Sequence, residues 1–192
     1  MADGSSLPIE RVSAGDVAYS TDPLSGSSGP RRVTATIYTP DDREFTGITL
    51  RSAKGPGVLT ATDHHPFWTP EKKSWTDAGS LKVGDSLLSP DGTFSKNSQI
   101  RRWQELQPAY NLTVADLHTY YVIAGTTPVL VHNCNGRDPV NGGIDDKTSI
   151  GLMQPTARMP LLPILHHGGA SSRIKTLEQD RVWHTTPARV YS

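Results

Sequence analysis

Apolar and polar positions alternate over short runs in the first two-thirds of the chain, and these runs stop at clusters of turn-forming residues. Arg32-Val33-Thr34-Ala35-Thr36-Ile37-Tyr38 runs into Pro40-Asp41-Asp42, and Asp85-Ser86-Leu87-Leu88 into Ser89-Pro90-Asp91-Gly92. Gly57-Val58-Leu59-Thr60-Ala61-Thr62 and Tyr110-Asn111-Leu112-Thr113-Val114 have the same make-up. Val, Ile, Thr and Tyr fit a pleated, half-buried surface, so the runs predict short strands, each closed by Pro, Asp or Gly. Seventeen Gly and fifteen Pro among 192 residues leave little room for long helices. The pattern therefore predicts an all-β domain rather than βαβ units. From Asn135 onward the periodicity fades. Met159-Pro160-Leu161-Leu162-Pro163-Ile164-Leu165 is broken twice by proline, and only Ile174 to Trp183 fits a short helix. The chain divides into a β domain over 1–134 and a linker and poorly ordered tail over 135–192, expected to pack weakly on the domain.

An internal repeat refines this. Val12-Ser13-Ala14-Gly15-Asp16-Val17 recurs as Leu81-Lys82-Val83-Gly84-Asp85-Ser86, with Gly15 and Gly84 separated by 69 residues. Gly permits turn dihedrals that other residues resist, and Asp hydrogen-bonds nearby backbone where the chain enters the next strand. Two such turns, each with an apolar residue three positions earlier, predict two pseudo-equivalent halves.

Charge and composition exclude several classes of function. Nineteen basic and nineteen acidic residues balance to +0, so there is no electrostatic footprint for nucleic acid or anionic membrane. Mean hydropathy is −0.44, and no apolar run approaches the length of a membrane span or a signal peptide. The single cysteine, Cys134, rules out an intramolecular disulfide and a multi-cysteine zinc site.

Candidate chemistry gathers at two places. One is Thr62-Asp63-His64-His65-Pro66-Phe67. In the other, Val129-Leu130-Val131 leads into His132-Asn133-Cys134. An asparagine amide can attack its own carbonyl, closing a succinimide ring and breaking the bond to the next residue. A preceding histidine is a suitable acid–base, because the imidazole titrates near neutral pH. A following cysteine is a good acyl acceptor. His118, in Asp116-Leu117-His118-Thr119-Tyr120-Tyr121, adds a further imidazole just before the strand leading to the trio.

The two Gly-Asp turns, Thr62 to Phe67, Tyr110 to Tyr121 and Val129 to Cys134, in this order, resemble the Hint (hedgehog/intein) superfamily. The nearest resemblance is to the pretoxin Hint domain of bacterial polymorphic toxins of the Rhs/YD-repeat type, over residues 1 to about 134. It implies a pseudo-two-fold all-β horseshoe whose activity is autocatalytic peptide-bond cleavage related to protein splicing. Carried over residue by residue, Thr62 and His65 match the pair that assists the first acyl shift in inteins. His118 matches a histidine tied to C-terminal cleavage, His132 the penultimate histidine, Asn133 the cyclising asparagine, and Cys134 the first downstream residue. Asn111 stands where many inteins have Asp, and His64, without a counterpart, reads as structural.

The resemblance further implies that the chain begins inside the first turn, at Met1-Ala2-Asp3-Gly4-Ser5, without the segment bearing a Cys or Ser nucleophile. Full splicing is then unavailable and an edge of the sheet is left open. The expected reaction is one scission at Asn133–Cys134, with the protein's own chain as substrate. No cofactor, metal or nucleic acid is called for, and a monomer is expected. The family context is an exported bacterial toxin. The competing reading is an inert Hint-derived scaffold. A third is a toxin enzyme in the tail, where His166-His167, His184 and Asp145-Asp146 lack metal-ligand spacing.

Overall fold

The computed structural model describes residues 5–52, 55–133, 152–153 and 188–191. Among these there is no α-helix. The strands are β1 (Ser6–Pro8), β2 (Val17–Thr21), β3 (Ser28–Ser52), β4 (Gly55–Thr62), β5 (Pro66–Thr69) and β6 (Ser74–Asp77), followed by β7 (Ser86–Leu88), β8 (Phe94–Val114), β9 (Thr119–Ala124), β10 (Thr127–His132), β11 (Leu152–Met153) and β12 (Arg189–Tyr191). Single 3-10 turns cover Ile9–Arg11 and Ala78–Ser80. The expected all-β class is what the protein adopts.

The strands form two six-stranded sheets, ordered β1-β12-β9-β10-β5-β6 and β2-β3-β4-β11-β8-β7, with β3 also paired to β8. Between them lies one main core that includes Ile9, Ile48, Leu50, Leu59, Phe67, Leu81, Leu87, Leu112, Tyr120 and Val131. A second cluster of Trp68, Tyr121 and Leu130 is flanked by Tyr19, Trp75 and Tyr191. Buried hydroxyls stitch β2 to β9. Ser20 Oγ donates to the Thr119 carbonyl at 2.7 Å, Thr119 Oγ1 to the Thr21 carbonyl at 2.8 Å, and Tyr121 Oη to Thr21 Oγ1 at 2.8 Å.

The predicted turn at Pro40-Asp41-Asp42 does not form. That stretch lies inside β3, where register shifts between Thr39 and Asp42 and between Asp42 and Glu44 mark β-bulges against β8. Proline is tolerated at a bulge because no ladder hydrogen bond is demanded of it there, so the cluster bends the strand without ending it. Asp85–Leu88, by contrast, does stop at its Ser89–Gly92 turn, where Gly92 N–H donates to the Ser89 carbonyl at 3.0 Å.

The repeat is realised bond for bond. Gly15 and Gly84 take φ of 105° and 96°. Asp16 Oδ2 accepts from Ser13 N and Asp85 Oδ2 from Lys82 N, both at 2.9 Å. Val33 N–H donates to the Asp16 carbonyl at 2.8 Å and Asn97 N–H to the Asp85 carbonyl at 3.0 Å. Each half carries a 3-10 turn before this loop, closed by Val12 N–H to Ile9 and Leu81 N–H to Ala78, both at 3.2 Å.

Four residues expected in a weakly packed tail are instead built into the domain. Ala188 and Val190 are buried, and β12 is inserted between β1 and β9. The short helix considered over Ile174 to Trp183 lies outside the described residues, as does most of 135–192.

The two sheets meet closely where β4 crosses the β9–β10 hairpin. Its two-residue loop places Gly125 at φ 62°, the positive dihedral that such a hairpin needs at its first loop position. A Cβ on Gly57 would lie 2.0 Å from the Ala124 carbonyl oxygen and 2.9 Å from Gly125 N. Those are backbone atoms of a paired hairpin and cannot swing aside. Gly57→Ala should destabilise the domain by about 3 kcal/mol, the upper part of the usual overpacking range. Urea unfolding checks this, and an unchanged midpoint would show that the crossing can loosen at little cost.

Candidate active site

Local backbone geometry first places the histidine motif. Thr62 ends β4, and His65 N–H donates to the Thr62 carbonyl at 3.0 Å, closing a tight turn. Asp63 holds this turn in place: its N–H donates to the Glu44 carbonyl at 2.9 Å, its carbonyl accepts from Gly79 N at 2.8 Å, and its Oδ1 accepts from Thr46 Oγ1 at 2.5 Å. The turn projects His65 into the interior and leaves His64 exposed, 3.7 Å from Asp77 Oδ2. Thr62 and His65 are both buried.

His65 sits against aromatic rings, 5.7 Å from Phe67 and 6.5 Å from Tyr120 between centroids. Neither ring nitrogen has a hydrogen-bond partner among the described residues. Burial, and behind it repulsion from a charged His132, push its pKa down to about 3. His65 is therefore neutral at any ordinary pH. Perturbed groups of this kind, buried without partners, gather at functional sites.

The second motif reaches the same region along β10, which pairs with β5 at Val131 and Phe67. His132 is buried against the Trp75 ring, 4.9 Å between centroids. His118 is exposed, its ring 6.5 Å from that of His132. Its own contact with the next residue is through the backbone, since Asn133 N–H donates to the His118 carbonyl at 2.7 Å. Positive φ at Asp116 (64°) and His118 (52°) turns that carbonyl toward Asn133. Asp and His are among the residues that visit this left-handed region most readily.

The Asn133 side chain is buried, and its orientation follows from its neighbours. Asn111 Oδ1 accepts from Leu112 N–H and from Tyr120 Oη, both at 2.7 Å. A backbone N–H only donates, so the atom facing it must be the Asn111 oxygen. Burial raises the Tyr120 hydroxyl pKa far above its ordinary value, which keeps it a donor as well. Asn111 Nδ2 then faces Asn133 Oδ1 across a long 3.5 Å contact. Asn133 Nδ2 is left buried with no hydrogen-bond partner among the described residues.

Thr62, His65, Asn111, Tyr120, His132 and Asn133 thus occupy one buried neighbourhood, with His118 at its rim. Cys134 lies outside the described residues. Tyr120 and the positioning contact of Asn111 had no signal in the sequence beyond their place in the Tyr110 to Tyr121 run. The described residues hold no group of three or more His, Cys, Asp or Glu suited to a metal ion. His166-His167, His184 and Asp145-Asp146 lie outside them. No described helix is long and apolar enough to cross a membrane.

The buried His65 makes stability depend on acid. Its folded pKa lies below the ordinary 6.5, so as pH falls through 6.5 the unfolded chain takes up a proton that the native state refuses. Stability should fall by about 1.4 kcal/mol per pH unit below 6.5, levelling off near pH 3. His65→Gln should remove this component. Urea unfolding at pH 7, 6 and 5 should show the variant losing less stability than the parent, and parallel curves would rule the account out.

Residues 1–134 match the family described as the pretoxin HINT domain. Among solved structures, the chain resembles a bacterial intein-like domain from Clostridium thermocellum at 31% identity and a TM-score of 0.58, covering 65% of this chain and 86% of that one. It also resembles an Ssp DnaB mini-intein variant at 17% identity and a TM-score of 0.51, covering 66% and 82%. The second likeness is one of fold. A comparison with curated proteins finds no match.

Proposed function

The chain belongs to the pretoxin HINT domain family, and from that membership we propose that it cuts its own backbone once, between Asn133 and Cys134, by asparagine cyclisation. The observation that carries this is the buried Asn133 amide, oriented by Asn111 with its nitrogen unpartnered. Asn133 Nδ2 attacks the Asn133 carbonyl carbon and the bond to Cys134 nitrogen breaks. The proton lost from Nδ2 is balanced by the one gained by the Cys134 amine. The upstream product ends in a succinimide, which water opens. His132, adjacent in sequence and packed on Trp75, is assigned the proton transfer to the leaving amine.

His118 is assigned two contributions. Its carbonyl holds the Asn133 N–H and limits backbone rotation, and its ring lies close enough to His132 to influence the site. Thr62 and His65 are assigned to the upstream-junction step known in the resemblance, a step distinct from the cut at Asn133. Preorganisation is central here, because five-membered ring closure needs the nitrogen in near-attack contact with the carbonyl. In the pretoxin setting, the cut would separate a downstream segment from the Hint domain.

Intact-mass measurement on freshly purified and incubated protein tests the reading. One cut at Asn133, lost on denaturation, is expected. Asn133→Ala should abolish it, and His132→Ala should slow it by roughly 10²–10⁴-fold. Scission spread over Asn135-Gly136 and Asn141-Gly142 would instead be ordinary asparagine chemistry. A folded protein with no fragment after days would leave the inert scaffold.

A further inference from the structure

The sheet carrying His132 is symmetric about its two central strands, with β1-β12-β9 on one side and β10-β5-β6 on the other. The 69-residue repeat maps β1 onto β6, and the pairings then coincide. Ser6 faces Tyr191 as Trp75 faces Trp68, Leu7 faces Val190 as Thr76 faces Phe67, and Pro8 faces Arg189 as Asp77 faces Pro66. Even the flanking bond is repeated: Ile9 N–H donates to the Ala188 carbonyl, and Ala78 N–H to the His65 carbonyl, both at 2.9 Å. Ala188–Tyr191 therefore stands in the first half where His65–Trp68 stands in the second. The difference is covalent. β5 reaches its partner β6 through the short Pro70–Lys73 turn, whereas β12 reaches β1 from beyond the Asn133–Cys134 bond.

β12 is held on both edges. It pairs with β1 on one side and with β9 on the other, where Val190 faces Val122. Ala188 and Val190 belong to the main core. Tyr191 packs edge-on against Tyr19 and Tyr121, at 6.1 and 6.4 Å between centroids. Arg189 donates from Nε to Ser6 Oγ at 2.8 Å and from Nη2 to the Ser6 carbonyl. A second downstream strand, β11, is inserted between β4 and β8, with Leu152 opposite Ala61 and Tyr110.

We propose that Ala188–Tyr191 is an integral strand of the upstream domain, so that breaking the chain between Asn133 and Cys134 leaves two polypeptides in one sheet. This rests on the scission reading for its biological occasion, but the strand insertion stands apart from it. The downstream product is retained, and it departs only when β12 is withdrawn. Withdrawal exposes the paired edges of β1 and β9 and reopens the core at Val190.

The test compares size under native and denaturing conditions. The full-length protein is cut in two ways. One sample is left to cut itself. In the other, Asn133→Ala blocks self-cleavage, and a protease recognition sequence inserted between Asn141 and Gly142 is cut specifically. Two fragments by denaturing mass spectrometry that co-elute natively at the uncut size are expected, and separate native elution overturns the proposal. If only the protease-cut sample contains fragments, the scission reading fails while the strand insertion is still judged. Val190→Asp in that sample should abolish co-elution, because β11 alone, two residues long, is too short to hold the fragment, and continued co-elution would show that β12 is not the tether. Hydrogen exchange on the uncut parent, which needs no variant to fold, should show residues 188–191 as protected as β5. Exchange at the rate of an unfolded peptide overturns the proposal.

Discussion

The antiparallel ladder between β3 and β8 is the constraint from which the site hangs. It sets Ile37 opposite Asn111 and Phe45 opposite Trp103, while on its other edge Phe45 faces Thr62 of β4. At its far end Ala115 N–H donates to the Arg32 carbonyl, fixing the start of the turn that carries His118. One ladder thus locates three segments that are distant in sequence. It cannot be straight. A 25-residue strand at about 3.3 Å per residue would run to about 80 Å, longer than a domain of this size. The bulges at residues 39–44 supply the bend, and the exposed Pro40 and Asp41 and the half-buried Asp42 are located there.

Burying this site is costly, and the cost falls on His65 and Asn133. A buried polar group without a partner costs about 1–3 kcal/mol. Here both nitrogens of His65 and Nδ2 of Asn133 are in that condition among the described residues. The surrounding polar groups are satisfied: Asn111 is held by Tyr120 and Leu112, Ser20 by Thr119, and Tyr121 by Thr21. The strongly bonded frame therefore forces the loosely bonded groups into place. A solvated asparagine would point its amide in many directions. This one is confined by Asn111 at the side chain and by His118 at the backbone.

The pseudo-two-fold repeat adds a second kind of coupling. Gly15-Asp16 and Gly84-Asp85 build equivalent loops, and each half needs a strand between its outer strand and the central pair. In one half that strand follows the histidine turn directly. In the other it comes from the downstream segment. Covalent continuity across Asn133 and membership of the sheet are consequently separate properties of residues 188–191, since hydrogen bonds and core contacts do not depend on the peptide bond between 133 and 134.

Features that depend only on neighbouring residues are legible in the sequence. Period-two runs of Val, Thr, Ile and Tyr carried the all-β class, because side chains on a strand alternate faces whatever strand lies beside it. The Gly-Asp loops were legible because a positive φ and a local Asp hydrogen bond involve only residues a few positions apart. The ordered motifs also mark Thr62, His65, His118, His132 and Asn133 in the sequence alone. Tertiary structure alone decided the rest. Pro40-Asp41-Asp42 reads as a turn until β8 lies alongside it, since a bulge is defined only against a partner strand. Tyr120 looks like any core tyrosine until its hydroxyl meets Asn111. Arg189–Tyr191 is too short to announce itself, because three residues carry almost no periodicity. It becomes a strand only when β1 and β9 each offer it an open edge, and edge complementarity is a property of three segments brought together by folding rather than of any one of them.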